Sequence, residues 1–238
     1  MNSMITYDFR LLLDNDYNND CETDYKIKIQ NKNYQKYLNF DNQLSFKEFQ
    51  NFIIKNKGQI IKEIETIKVE YLYASFTHGF NHNVKVLLFG MYLSQKLNLD
   101  EVDFRILMDA CKYHDVGRTN DLYDEKHGFL SAKMIEQIID DPIYNDLENI
   151  NFLKAIIEFH SVPDREFNKI TKKYKIKDIE RFKKLAYILK DADGLDRVRL
   201  SINNKIFSDL NPKYLRIDDS FNLVKCAHIL NYIVIKGI

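Results

Sequence analysis

Tryptophan is absent from this chain, proline occurs three times and glycine seven times in 238 residues. So few breakers and turn formers argue against a turn-rich β fold and for helices joined by short loops. Cysteine is scarce as well. Cys21, Cys111 and Cys226 are odd in number and widely spaced, so they suggest neither a zinc-type pairing nor a disulfide framework, and a reducing, cytoplasmic setting fits best. No apolar run approaches the ~20 residues that a membrane span needs. The first twenty residues lack the basic and apolar regions of a secretory leader. Net charge is missing too, with 35 basic against 35 acidic side chains. Without a global positive field, a long nucleic-acid duplex is a poor main partner, whereas a local basic patch can still meet a small anion.

What is present is a globular composition, 45% hydrophobic, in a chain long enough for one domain with a full core. Residues 1–44 read as a less regular N-terminal appendage, polar and turn-like at 14–24, with weak alternation suggesting a short strand at 25–29. The appendage is compatible with covering the core or with a homo-oligomer. The remainder, 45–238, reads as helical. Ser45 followed by Glu48 has the form of a capping box, and Phe46, Phe49, Phe52, Ile53, Ile60, Ile61 and Ile64 recur at helical spacing, predicting a helix over 45–69. An apolar helix follows near 82–97. Asp100 caps another that runs from 101 to about 114, and Gly117 ends it. Further helices are expected near 127–139, 148–160, 178–190 and 220–235. With no βαβ alternation, the fold class is all-α, an irregular helical bundle.

Chemistry concentrates in six histidines, five of them between positions 78 and 160: His78, His82, His114, His127 and His160. Imidazole nitrogen and carboxylate oxygen together suit Zn, Mn, Fe and Co, and oxygen-rich sites also take Mg. Two acidic neighbourhoods accompany the histidines. One is His114-Asp115. The other is the run 191–196 (DADGLD), which interrupts an apolar helix. Acids set against apolar sequence need partners, and a metal ion is one. Singly, each residue has an ordinary structural reading; the ordered set is what points to a site. His228 lies outside it and reads as structural.

The segments SFTHGFNHNVKV, ACKYHDVGR and LKDADGLDRVRL resemble the H…HD…D signature of the HD-domain metal-dependent phosphohydrolase superfamily. EKHGFLSAKMI and IIEFHS resemble the two added ligand segments of its H…HD…H…H…D subset. The resemblance covers about 75–200. It implies a helical bundle of the HD-domain type. It also implies a divalent metal centre with one or two ions (Mn, Mg, Co, Zn or Fe). One ion would take His82, His114, Asp115 and Asp193; a second would share Asp115 and take His127 and His160. His114 and Asp115 would be the catalytic pair. His78 has no firm slot and reads as substrate-facing or supporting. Arg118, Lys190 and Arg197 are the nearest candidates for phosphate contacts. The Lys/Arg-rich stretch 165–184 reads equally as a basic flap or as a solvated helix face. Asp196 is expected to pair with Arg197 or Arg118.

The function implied is hydrolysis of a phosphoester or phosphoanhydride in a small, anionic, nucleotide-like substrate by metal-activated water. Mixed-valent di-iron oxygenases share this ligand order and remain the first alternative. A nucleotide-binding module without turnover is the second, and the full ligand set argues against it.

Overall fold

Ser45 opens the first helix as the capping box predicts. Its Oγ accepts from the Glu48 amide, and Glu48 Oε2 accepts in return from the Ser45 amide at 3.0 Å. The structure, a computed structural model, describes residues 44–75, 77–200 and 210–236. The appendage over 1–43 and its short strand therefore lie outside the described residues. Among the described residues every regular element is helical, with ten α-helices and no strand. No helix there is long and apolar enough to cross a membrane.

The chain divides into two compact units, one of 63–193 and one formed by the residues on either side. α1 (Phe46–Lys55) ends at Asn56, and α2 (Lys57–Glu65) follows. The single helix predicted over 45–69 is thus broken. The reason is Asn56, whose side-chain amide donates to the Phe52 carbonyl at 2.8 Å while its own N–H closes the turn; asparagine readily offers the backbone this alternative to helix. The predicted 220–235 helix is likewise two, α9 (Asp218–Asn222) and α10 (Val224–Lys236). Phe49 and Ile53 of α1 and Cys226, Ile229 and Leu230 of α10 are fully buried. The Leu44 amide donates to Asn222 O at 3.0 Å, and Cys226 Sγ donates to Leu44 O at 3.4 Å, tying the start of α1 to this pair.

In the 63–193 unit, α3 (Phe80–Lys96) is buried on every side from His82 to Ser94. A helix apolar nearly all round has no solvent face and must be central. It packs on α4 (Glu101–Tyr113), whose N-cap Asp100 accepts from the Asp103 amide at 2.8 Å as expected. Then come α5 (His127–Met134), continued by a 3-10 turn, and α6 (Leu147–His160), which packs on both α4 and α5. The predicted basic stretch 165–184 is not a separate flap. It forms α7 (Phe167–Lys173) and the start of α8 (Ile179–Asp196). Phe167 and Phe182 close on Phe159 with ring centroids 5.6 and 5.9 Å away. Two of its cations are engaged: Arg181 Nε donates to Asp103 at 2.6 Å, and Lys173 Nζ to Glu158 at 2.5 Å.

Two further corrections concern the site's supports. The acidic run does not interrupt the last long helix, because α8 continues through it to Asp196. One interior glycine costs a helix only about 1 kcal/mol, less than burial of Leu185, Ile188, Leu189 and Leu195 returns. Gly117, read as a helix stop, is needed for space instead. No described glycine has positive φ, but a Cβ at Gly117 would stand 2.4 Å from Ser131 N and 2.6 Å from His127 O. The turn after α4 thus presses directly on the first turns of α5.

Candidate metal centre

Five helices or their ends deliver the site. His82 sits in the first turn of α3, His114 caps the end of α4 and Asp115 follows it; His127 begins α5, His160 ends α6, and Asp193 lies near the end of α8. Helix ends suit this work, since they carry side chains to a common point without burying helical backbone there.

Three of the histidines are fixed by their own backbone. His114 Nδ1 lies 3.1 Å from Cys111 O, His160 Nδ1 lies 2.5 Å from Ile157 O, and His127 Nδ1 bonds Asp124 O. A carbonyl only accepts, so each Nδ1 carries the proton and each Nε2 keeps its lone pair. Those lone pairs converge. His127 Nε2 and His160 Nε2 stand 2.9 Å apart, and His82 Nε2 and His114 Nε2 stand 3.0 Å apart. For the first pair neither ring has a proton to donate across the gap, so the approach is repulsive unless a cation lies between. The four rings form a continuous edge-to-face chain, with centroids 5.1, 4.9 and 4.8 Å apart.

Asp115 stands at the middle of that chain. Its Oδ2 is 3.5 Å from His82 Nε2 and 3.8 Å from His114 Nε2, while its Oδ1 is 3.1 Å from His127 Nε2 and 3.5 Å from His160 Nε2. The buried Oδ1 has no hydrogen bond. A buried carboxylate oxygen without a proton donor is costly, and a cation would satisfy it. Asp193 closes the other side, with Oδ1 3.4 Å from His82 Nε2 and a quarter of its side chain exposed. Two overlapping ligand triads result, His82–His114–Asp193 and His114–Asp115–His160, each with its atoms within 4.8 Å of one another. The donor set fits one or two divalent ions: neutral imidazole nitrogens, two carboxylates, and Nδ1 held as metal-ligating histidines hold it.

Protonation states agree. Burial pushes His114 down to about 3 and lowers His160, so both rings are neutral ligands near pH 7.

The candidate phosphate contacts separate. Arg118 stays at the centre, its Nε 3.0 Å from Asp115 Oδ2 and its Nη2 3.4 Å from His127 Nε2. Lys190 is engaged elsewhere. Its buried Nζ donates to Val162 O at 2.6 Å and to Asp164 at 2.7 Å, and sits 3.9 Å over the Phe159 ring. It therefore clamps the segment after His160 onto α8. Arg197 is exposed in the 3-10 turn beyond α8. Arg199 Nη1 donates to Asp196 at 3.3 Å. His78 packs edge-on against His82, centroids 6.0 Å apart, and its Nδ1 lies 2.8 Å from Asp121. Asp121 also accepts from Ser75 Oγ at 2.5 Å, and these two partners hold its carboxyl below the usual range. Asp121 and Ser75 were not foreseen in the sequence, because their only signal is a partnership across more than forty residues.

A helical bundle whose helix ends gather histidines and aspartates around a cation-sized gap defines a protein suited to hold divalent metal. The family model for the HD domain matches residues 79–198, which includes His82, His114, Asp115, His127, His160 and Asp193. The chain belongs to the HD-domain family. Comparisons with curated proteins and with solved structures returned no match.

Proposed function

We propose that this chain is a metal-dependent phosphohydrolase that cleaves a phosphoester or phosphoanhydride in a small nucleotide-like substrate. One observation carries the reading: imidazole lone pairs of locked tautomer converge on the two oxygens of a buried Asp115. Divalent ions held there supply a Lewis acid for the phosphoryl group and an activated water near neutral pH. Asp115 presents one oxygen toward His82 and His114 and the other toward His127 and His160, and would help hold metal bound on either side. Its partner carboxylate, Asp193, leaves a solvent-open side for substrate.

Charge supports two ions over one. Two carboxylates nearly neutralise a single divalent ion, whereas a dianionic phosphate needs net positive charge; two more neutral imidazoles allow a second ion to supply it. Arg118 adds a fixed guanidinium beside Asp115, and His78 presents its ring next to His82 with Nδ1 held by Asp121.

The test is metal analysis of the purified chain, then phosphate release from a nucleotide panel with Mn, Mg, Co, Zn or Fe. One or two ions per chain and released phosphate are expected, with Asp115→Ala inactive. His127→Ala and His160→Ala should lower stoichiometry and act mainly on kcat, because the second ion works on the transition state. Wild-type turnover in Asp115→Ala would sink the assignment. Obligatory iron with oxygen uptake and no phosphate release would favour the oxygenase instead.

A further inference from the structure

The loop between α4 and α5 is held to the candidate metal centre at three points. Asp121 takes His78 and Ser75. The Leu122 carbonyl accepts from Arg118 Nη1 at 3.3 Å. The Asp124 carbonyl accepts from His127 Nδ1. Every residue from 121 to 124 except Tyr123 is thus bonded to a residue at or beside the ligand set. Tyr123 is left projecting, 86% exposed, next to Leu122 at 74%. Among the described residues no ring and no cation packs on its face; its hydroxyl alone is fixed, donating to Glu125 Oε1 at 2.5 Å. Arg165, in the turn that follows His160, is close enough to act on that hydroxyl electrostatically. An aromatic ring with open faces, on a loop tethered to the candidate metal centre, suits a planar heteroaromatic ring on the same molecule as a phosphate held at that centre.

We infer that Tyr123 is the stacking platform for the base of a nucleotide whose phosphate lies at the His/Asp centre. The inference rests on the phosphate-ligand reading above and names what lies at the far end of that ligand. Stacking is tolerant of base identity, because every base has a π face. Tyr123 therefore selects nucleotides over sugar phosphates without choosing strongly among bases.

The chain has no tryptophan, so Tyr123→Trp introduces a single tryptophan, excited selectively at the red edge, at the position in question. The full-length, metal-loaded variant is titrated with AMP, GMP and ribose 5-phosphate, which carries the phosphate and sugar without the base. AMP and GMP should quench the tryptophan and ribose 5-phosphate should not. In equilibrium dialysis, Tyr123→Ala should bind both nucleotides about ten- to a hundredfold more weakly than wild type, the range that loss of one base stack gives, while its melting temperature stays unchanged. Phosphate release run alongside separates the two readings. Quenching by nucleotides without any phosphate release would leave the platform standing and remove the hydrolase. Phosphate release with equal nucleotide affinity in wild type and Tyr123→Ala would remove the platform and leave the hydrolase. A wild-type chain that binds AMP and GMP no better than ribose 5-phosphate would also overturn the platform.

Discussion

Single atoms decide much at this site. Gly117 is the clearest case. Its missing Cβ lets the turn that carries His114 and Asp115 lie against α5, and its amide donates to Ser131 Oγ at 2.8 Å. Gly117→Ala puts a methyl group against backbone that cannot step aside. We expect a loss of roughly 1–3 kcal/mol, the range for overpacking, with metal affinity falling as well because His127 is displaced; urea melts beside metal titrations would read both. Lys190 shows the converse, a charge whose role is set by what surrounds it. Removing it by Lys190→Met should weaken the hold on the turn after His160 more than it changes substrate KM. His228 matters for a different reason. Burial lowers its pKa from 6.5 to about 4. The unfolded chain therefore takes up the proton first as pH falls. The stability is fully present above about pH 6.5 and is lost progressively as pH falls through 4, by roughly 3 kcal/mol in all. His228→Gln should flatten that part of the pH–stability curve, and an unchanged slope between pH 7 and pH 4.5 would refute the assignment.

At the scale of elements, what could be read in advance was local. The Ser45–Glu48 box and the Asp100 cap involve residues three apart, and both form as the sequence suggests. Asp100→Ala should accordingly cost about 1 kcal/mol, measured as a shift of the denaturation midpoint without change of slope. The ordered histidines and aspartates were legible for a similar reason: each lies within a short segment whose pattern stands out by itself. What was not legible depends on packing between segments. Nothing around Asp121 announces His78. Nothing around Lys190 says that Val162 and Asp164 will take it rather than a phosphate. Helix breaks failed in both directions. Asn56 ends α1 inside an unbroken apolar period, and α8 runs on through Asp191, Asp193 and Gly194 because buried leucines on either side hold it. Periodicity reports which face is apolar, and it does not report whether a side chain will compete for the backbone.

For the whole molecule, the candidate ligands come from α3, α4, α5, α6 and α8, so a metal held by them would be linked to the folding of the 63–193 unit. A divalent ion at a hundredfold over its dissociation constant should stabilise the chain by about 2.7 kcal/mol, seen as a rise in Tm of several degrees after chelator treatment and re-addition. Asp115→Ala should lose that rise; a variant that keeps it would show that the ion binds elsewhere. The three locked imidazoles carry a last consequence, for inheritance. Each takes its Nδ1 partner from the carbonyl three residues before it, at Cys111, Asp124 and Ile157. A carbonyl belongs to every amino acid alike, so no substitution at those three positions can delete it. Drift is free to rewrite the neighbours of each ligand without disturbing its tautomer. The side chains at those three positions can change while the acceptor that sets each tautomer stays in place.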